Sequence, residues 1–173
     1  MSIHIIIDGY NLIRQSDRLS ILDRRDIQSG REALLETLAE YRKIKQHKTT
    51  VVFDGANAPS FSRHGEKLNG VKILFSRNGE SADTVIKSMA AMEREKALIV
   101  SSDLDIVKYA ESQGAATISS PEFEEKVLMA ASMDTNGSSM EYKEGWVPTT
   151  KKKGPSRRLS KKKRRSKVKI NKL

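Results

Sequence analysis

Six carboxylates, five of them expected at one rim of the fold, are the candidates for chemistry: Asp8, Asp54, Glu80, Asp83, Asp103 and Asp105. Asp8 follows the apolar run Ile3 to Ile7, Asp54 follows Thr49 to Phe53, and Asp103 and Asp105 follow Ala97 to Val100. Glu80 and Asp83 precede or open the segment after Val71 to Phe75. Carboxylates crowded at one rim repel one another, which raises their pKa values and costs stability unless a cation compensates them. With no cysteine and 3 histidines in the chain, the donors are oxygens, which favour Mg²⁺ or Mn²⁺ over zinc or copper. Such a centre can activate water, align it with a phosphodiester and neutralise the leaving oxygen.

Each acid also has an ordinary role open to it. Ser102-x-x-Asp105 spells a capping box, Asp54-Gly55 a strand-ending turn, and Asp83 an acid facing the positive end of a helix. Asp8 and Asp103 resist such explanations, because both lie just beyond very apolar strands, at the rim where α/β sheets bind ligands. Asn11 offers a neutral ligand, a water-orienting amide or the cap of a local turn. His4, inside the first apolar run, reads as a packed histidine, and His64 as a surface-loop residue within reach of a phosphate. Arg63, Lys67, Lys72 and Arg77 are expected to flank the cleft with positive charge, holding a substrate without cutting it.

These residues need a frame. Ile3 to Ile7, Thr49 to Phe53, Val71 to Phe75, Ala97 to Val100 and Ala115 to Ile118 are short apolar runs of the kind buried on both faces of a parallel sheet. Helical spacing fills the gaps. Ser29-x-x-Glu32 predicts a helix to about Gln46, Ser81 caps one to about Glu95, and Ser102 opens one that Gly114 closes. Ser120-Pro121 starts a last helix through Ala131. Alternating strands and helices predict a doubly wound α/β sandwich with a mostly parallel central sheet.

Charge divides the chain. Of 32 Lys and Arg, 13 fall in residues 149–173, where none of the 22 acids lies, so residues 1–148 carry a slight negative excess. Residues 1–131 are therefore expected to form the domain, 132–150 a linker or docked strap containing Trp146, and 151–173 a disordered basic tail. A polyanion gains from such an arm by counterion release, with RNA the first candidate, through Lys151, Lys152, Lys153, Arg157, Arg158, Lys161, Lys162, Lys163, Arg164 and Arg165. No apolar run approaches the ~20 residues of a bilayer span, and no secretory leader is evident. The expectation is a cytoplasmic protein without a membrane partner.

Four segments in order resemble the motifs of YacP-like NYN domains, relatives of the PIN nucleases: Ile7-Asp8-Gly9-Tyr10-Asn11-Leu12-Ile13, Val52-Phe53-Asp54-Gly55, Gly79-Glu80-Ser81-Ala82-Asp83-Thr84-Val85-Ile86 and Val100-Ser101-Ser102-Asp103. The resemblance covers about residues 1–130 and leaves the basic extension outside. It implies a PIN-like three-layer sandwich and metal-dependent endoribonuclease activity, with Asp8, Asp83 and Asp103 as the catalytic, metal-holding core and Asn11 in support. Asp54, Glu80 and Asp105 are further supporting candidates.

The leading expectation is an endoribonuclease using Mg²⁺ or Mn²⁺ on single-stranded RNA, ribosomal RNA and translating mRNA included, with the tail capturing substrate. The alternative is a non-catalytic RNA-binding or ribosome-associated module. An Asp-x-Asp metal fold of the topoisomerase–primase kind fits less well, because it expects glutamate where Asp8 stands. An aspartyl phosphatase lacks its second acid two positions after Asp8. The nuclease reading requires Asp8, Asp83 and Asp103 to converge.

Overall fold

A computed structural model describes residues 3–57, 66–135 and 160–173. Six strands, β1 (His4–Asp8), β2 (Lys48–Phe53), β3 (Lys67–Leu68), β4 (Val71–Phe75), β5 (Ala97–Val100) and β6 (Ala116–Ile118), form one sheet in the order β3-β4-β2-β1-β5-β6. All neighbours run parallel except β3 against β4. Seven helices accompany them: α1 (Gly9–Gln15), α2 (Asp17–Arg25), α3 (Ile27–Lys45), α4 (Ala82–Glu93), α5 (Leu104–Ser112), α6 (Ser120–Thr135) and α7 (Lys161–Ile170). None of the described helices is long and apolar enough to cross a membrane.

The continuous apolar strands are explained by burial on both sides. Ile5, Ile7, Val51, Phe53, Leu98 and Val100 face the larger core, which takes in α1, α3 and α6. Ile6, Val52, Ala97 and Ile99 face a smaller core with Ile86 and Ala90 of α4 and Ile106 and Ala110 of α5. The result is the expected three-layer α/β sandwich. From β1 the chain winds one way to β2 and β4, then returns by way of α4 to β5 and β6 on the other side of β1. The winding therefore reverses between β1 and β5, and such a reversal leaves a crevice beyond the C-terminal strand ends.

Several boundaries differ from expectation for identifiable reasons. Residues 9–25 hold two helices that the Asp8-Gly9 turn signal concealed. Ser16 ends α1 and caps α2 by accepting the Leu19 N–H at 3.2 Å. Helix α3 begins at Ile27 because Asp26, not Ser29, is its cap; the Ser29 N–H and hydroxyl both donate to the Asp26 carboxylate at 2.8 Å. Ser119 rather than Ser120 supports the start of α6, its carbonyl accepting the Phe123 N–H at 3.0 Å. Gly114 follows α5 with φ +91° as anticipated.

The C-terminal region departs furthest from expectation. Residues 151–159 lie outside the described residues, and within 160–173 the described residues include a helix, α7. Helix α7 packs against β6, Ile170 and Leu173 join the larger core, and the Tyr41 hydroxyl donates to the Leu173 carbonyl at 3.2 Å. Arg165 pairs with Glu95 at 2.6 Å, and the Lys169 ammonium donates to the Glu95 carbonyl. Charge density hid a short apolar spacing, Ile170 and Leu173, that suffices to dock the segment.

Candidate active site

Asp8 ends the central strand and caps α1, so its carboxylate sits at the crevice where the winding reverses. One oxygen accepts the Asn11 N–H at 3.4 Å and the other the Ser101 hydroxyl at 3.1 Å. Gly9 follows because nothing larger fits: a Cβ there would lie 2.3 Å from the Phe53 ring. Asp8 is only 8% exposed. Burial above all pushes its carboxyl up to about 6; the Asn11 amide and Ser101 hydroxyl oppose that rise, and the charges of Asp83 and Asp103 add to it.

Asp83 reaches the same crevice from the first turn of α4. Ser81 caps that helix as expected, accepting the Thr84 N–H at 3.2 Å. Asp103 comes from the loop after β5 and is itself the cap of α5: its Oδ1 accepts the N–H groups of Asp105 and Ile106 at 2.8 and 3.4 Å. The capping role assigned to Ser102-x-x-Asp105 thus belongs to Asp103. Asp105 instead pairs with Lys87, one turn along α4 from Asp83. The Lys87 ammonium is held above its usual range, first by its hydrogen bond to Asp105 and then by the charges of Asp105, Asp83 and Asp103, against a smaller opposing effect of burial.

Asn11 fastens the floor of the crevice. Its side-chain carbonyl accepts from the Ser102 N–H at 3.0 Å, the Ser120 hydroxyl at 2.7 Å and the Gln15 amide at 3.4 Å. It thereby ties together the segments after β1, β5 and β6. Ser102 adds a hydroxyl donated to Gln15 at 2.8 Å and accepts the Ser120 N–H at 3.2 Å.

The remaining candidates make other contacts. Asp54 forms the anticipated turn, accepting the Ala56 N–H at 2.9 Å, and Glu80 accepts the Arg77 N–H at 3.4 Å; neither shares a hydrogen bond with the three acids. Arg77 lies on the rim loop before α4. Lys72 does not flank the crevice: its charge acts on His4, near the opposite end of β1, and Lys67 is its partner in register. His4 is the packed histidine expected, 4% exposed, between Glu93 at 3.0 Å and the Thr50 hydroxyl at 2.8 Å, and burial lowers its pKa. Arg63, His64, Trp146, Lys151, Lys152, Lys153, Arg157 and Arg158 lie outside the described residues.

Sequence reasoning passed over Ser101 and Lys87. Ser101 is 1% exposed and bridges two acids, its hydroxyl donating to Asp8 while accepting the Asp103 N–H at 3.1 Å. Its signal was a small hydroxyl residue between an apolar strand and Asp103. Lys87 was signalled by its spacing of four from Asp83, which puts both on one helix face.

The donor chemistry suits a hard divalent cation: oxygens only, one pair of them on a carboxylate whose pKa is raised first by burial and further by its acidic neighbours. It is not a finished cage, since among the described residues no three Asp, Glu or His side chains stand in metal-ligand geometry.

Comparison with known proteins agrees with this architecture. YacP of Bacillus subtilis (strain 168), described as uncharacterized, is 27% identical over 86 residues, a match spanning half of each chain. The crystal structure of Rae1 (YacP) from Bacillus subtilis superimposes with a TM-score of 0.65 at 25% identity, covering 78% of each chain. A single-substitution variant of that protein gives 0.63 at 24% identity, covering 77% of this chain and 79% of the other. The YacP-like NYN domain profile matches residues 5–172, so it takes in the basic extension that the motif resemblance had left outside. The chain belongs to the YacP-like NYN domain family.

Proposed function

We propose that the protein is a metal-dependent endoribonuclease whose reaction takes place at Asp8, Asp83 and Asp103. The observation that carries this reading is Asp8 itself: a carboxylate at the reversal point of the sheet whose pKa is pushed up to about 6, by burial first, with the charges of two further acids, Asp83 and Asp103, adding to the rise. Proteins tolerate such repulsion chiefly where it serves a site. Asp8, Asp83 and Asp103 would hold Mg²⁺ or Mn²⁺, which when bound supplies an activated water and neutralises charge on the leaving oxygen.

The residues around them prepare the crevice. Ser101 and the Asn11 N–H fix the direction of the Asp8 oxygens. Asn11 holds three loops in register, so the acids on two of them keep their separation. Lys87 offsets part of the negative charge while the crevice is empty of substrate. Arg77 at the rim and Lys161, Lys163, Arg164 and Arg165 of α7 supply positive charge for RNA, as does Lys162 from its place in the same helix; phosphate contacts of this kind give affinity and little sequence choice. RNA as substrate, in the cytoplasm and without a membrane, fits this set of residues.

A second reading is a binding module without chemistry, associated with RNA or ribosomes. It is favoured by the absence, among the described residues, of any three acids in ligand geometry, and by the use of Asp103 Oδ1 as a helix cap. One assay separates the two. Wild type and Asp83→Asn are incubated with mixed RNA in Mg²⁺, Mn²⁺ or chelator. The nuclease reading expects metal-dependent cleavage that Asp83→Asn loses while still binding RNA; wild type inert in both metals favours the module.

A further inference from the structure

Far from the acidic crevice, α7 and the N-terminal strand ends enclose a cavity of about 950 Å³. Its lining includes six cations, Lys96, Lys161, Arg164, Arg165, Lys169 and Lys172, and one carboxylate, Glu95. Glu95 is already engaged by Arg165 at 2.6 Å. The floor is apolar, from Ile3 and Val168. Lys169 is partly withdrawn from water and is pushed below its usual range by that burial, the Glu95 charge opposing the shift and the Arg165 charge adding to it. Cations gathered round a recess without matching acids repel one another, and a chain of phosphates relieves that repulsion.

The position of this recess is as informative as its charge. Ile3 precedes β1, Lys96 precedes β5 and Gly114 precedes β6, so the cavity opens at the N-terminal ends of the strands. Asp8 and Asp103 stand at the C-terminal ends. Strand β1 has 5 residues, which at about 3.3 Å each separates the two rims by roughly 17 Å through the domain.

We propose that the recess between α7 and the N-terminal strand ends is a second RNA-binding site, gripping the phosphates of a substrate strand several nucleotides away from the bond that is cut. This rests on the nuclease reading above and adds a length requirement to it. Stacked nucleotides advance about 3.4 Å each. Five of them only just match the straight distance, and the strand must travel round the domain. An RNA of five nucleotides therefore occupies one site or the other, whereas a longer strand occupies both.

The test compares wild type with a double variant, Lys96→Glu and Lys172→Glu, which spares the Arg165 and Lys169 contacts that seat α7. Binding of an unstructured RNA of about 30 nucleotides is measured in chelator, and cleavage of a five-nucleotide RNA in Mn²⁺. The expected result is a loss of about tenfold in affinity for the long RNA, with the salt slope reduced by about 1.4 for two lost phosphate contacts. Cleavage of the short RNA stays at the wild-type rate. Long-RNA binding equal to wild type overturns the proposal, as does a parallel loss of short-RNA cleavage with an unchanged melting temperature. Should charge reversal unseat α7, the same two positions changed to Gln carry the measurement, with a smaller loss expected. If wild type cleaves neither RNA yet binds the long one in a manner the variant loses, the nuclease reading falls and the recess stands.

Discussion

The hydroxyl of Ser101 donates to Asp8 at 3.1 Å, and through the same oxygen the loop bearing Asp103 is tied to the central strand. A donor to the charged form of a carboxylate lowers its pKa, so this serine works against the burial that raises Asp8. Ser101→Ala is expected to move the Asp8 titration above its present value of about 6 and to cost about 1 kcal/mol. Side-chain carboxyl NMR titration follows the first effect and denaturant unfolding the second; a downward shift would contradict the assignment.

Asp8→Asn is expected to make the protein more stable at neutral pH while removing activity. The folded state raises Asp8 from 3.8 to about 6, so the proton is bound more tightly in the fold than in the unfolded chain. Stability contributed by this residue therefore falls as pH rises from about 4 through 6, and the penalty is complete above that. Asparagine keeps the helix cap without the charge. The gain should approach about 3 kcal/mol at pH 7.5 and vanish near pH 3.5, as read by unfolding curves at both values. Added Mn²⁺ should raise the melting temperature of wild type and leave the variant unmoved.

Lys87→Met removes the cation beside Asp83, Asp103 and Asp105. The acids then repel one another more strongly, and a divalent ion should be held several-fold more tightly, while RNA cleavage falls. Mn²⁺ titration followed by electron paramagnetic resonance measures the affinity directly. Unchanged or weaker Mn²⁺ binding would show that Lys87 serves α5 alone.

Removing residues 160–173 is expected to cost stability as well as RNA affinity. The truncation strips Ile170 from the core and leaves the buried Tyr41 hydroxyl without its acceptor, Leu173. Leu173→Ala alone should lower stability by about 2 kcal/mol, within the usual range for a buried leucine. A melting temperature unaffected by either change would return α7 to the status of a free arm.

The legible parts of this chain were those in which local pattern and tertiary demand coincide. Ile5-Ile6-Ile7 and Leu98-Ile99-Val100 announce strands because both faces are buried, and the acids that follow them mark the C-terminal rim. Caps were less reliable, since a hydroxyl or carboxylate a few residues away can take the same N–H. Asp26 displaced Ser29, and Asp103 displaced Ser102, in each case because the earlier or better-placed carboxylate reached the helix start. Helices α1 and α2 were hidden because they are short, the first starts at a glycine, and a single serine joins them. The docking of α7 depends on Tyr41 and Glu95, distant in sequence, so no window of the basic segment contains the information. Ser101 was hidden for a related reason: its importance lies in two partners, one of them in another strand.

Strand β3 is only two residues long, runs against its neighbour and carries an exposed lysine, Lys67. At the far end of the sheet, α7 lies against β6. Unpaired strand margins invite pairing with other chains, and short charged strands or a covering helix are the usual protection. Helix α7 accordingly has a further part to play, shielding β6 from intermolecular β-addition, so that a shortened chain would be prone to aggregate even where it still folds.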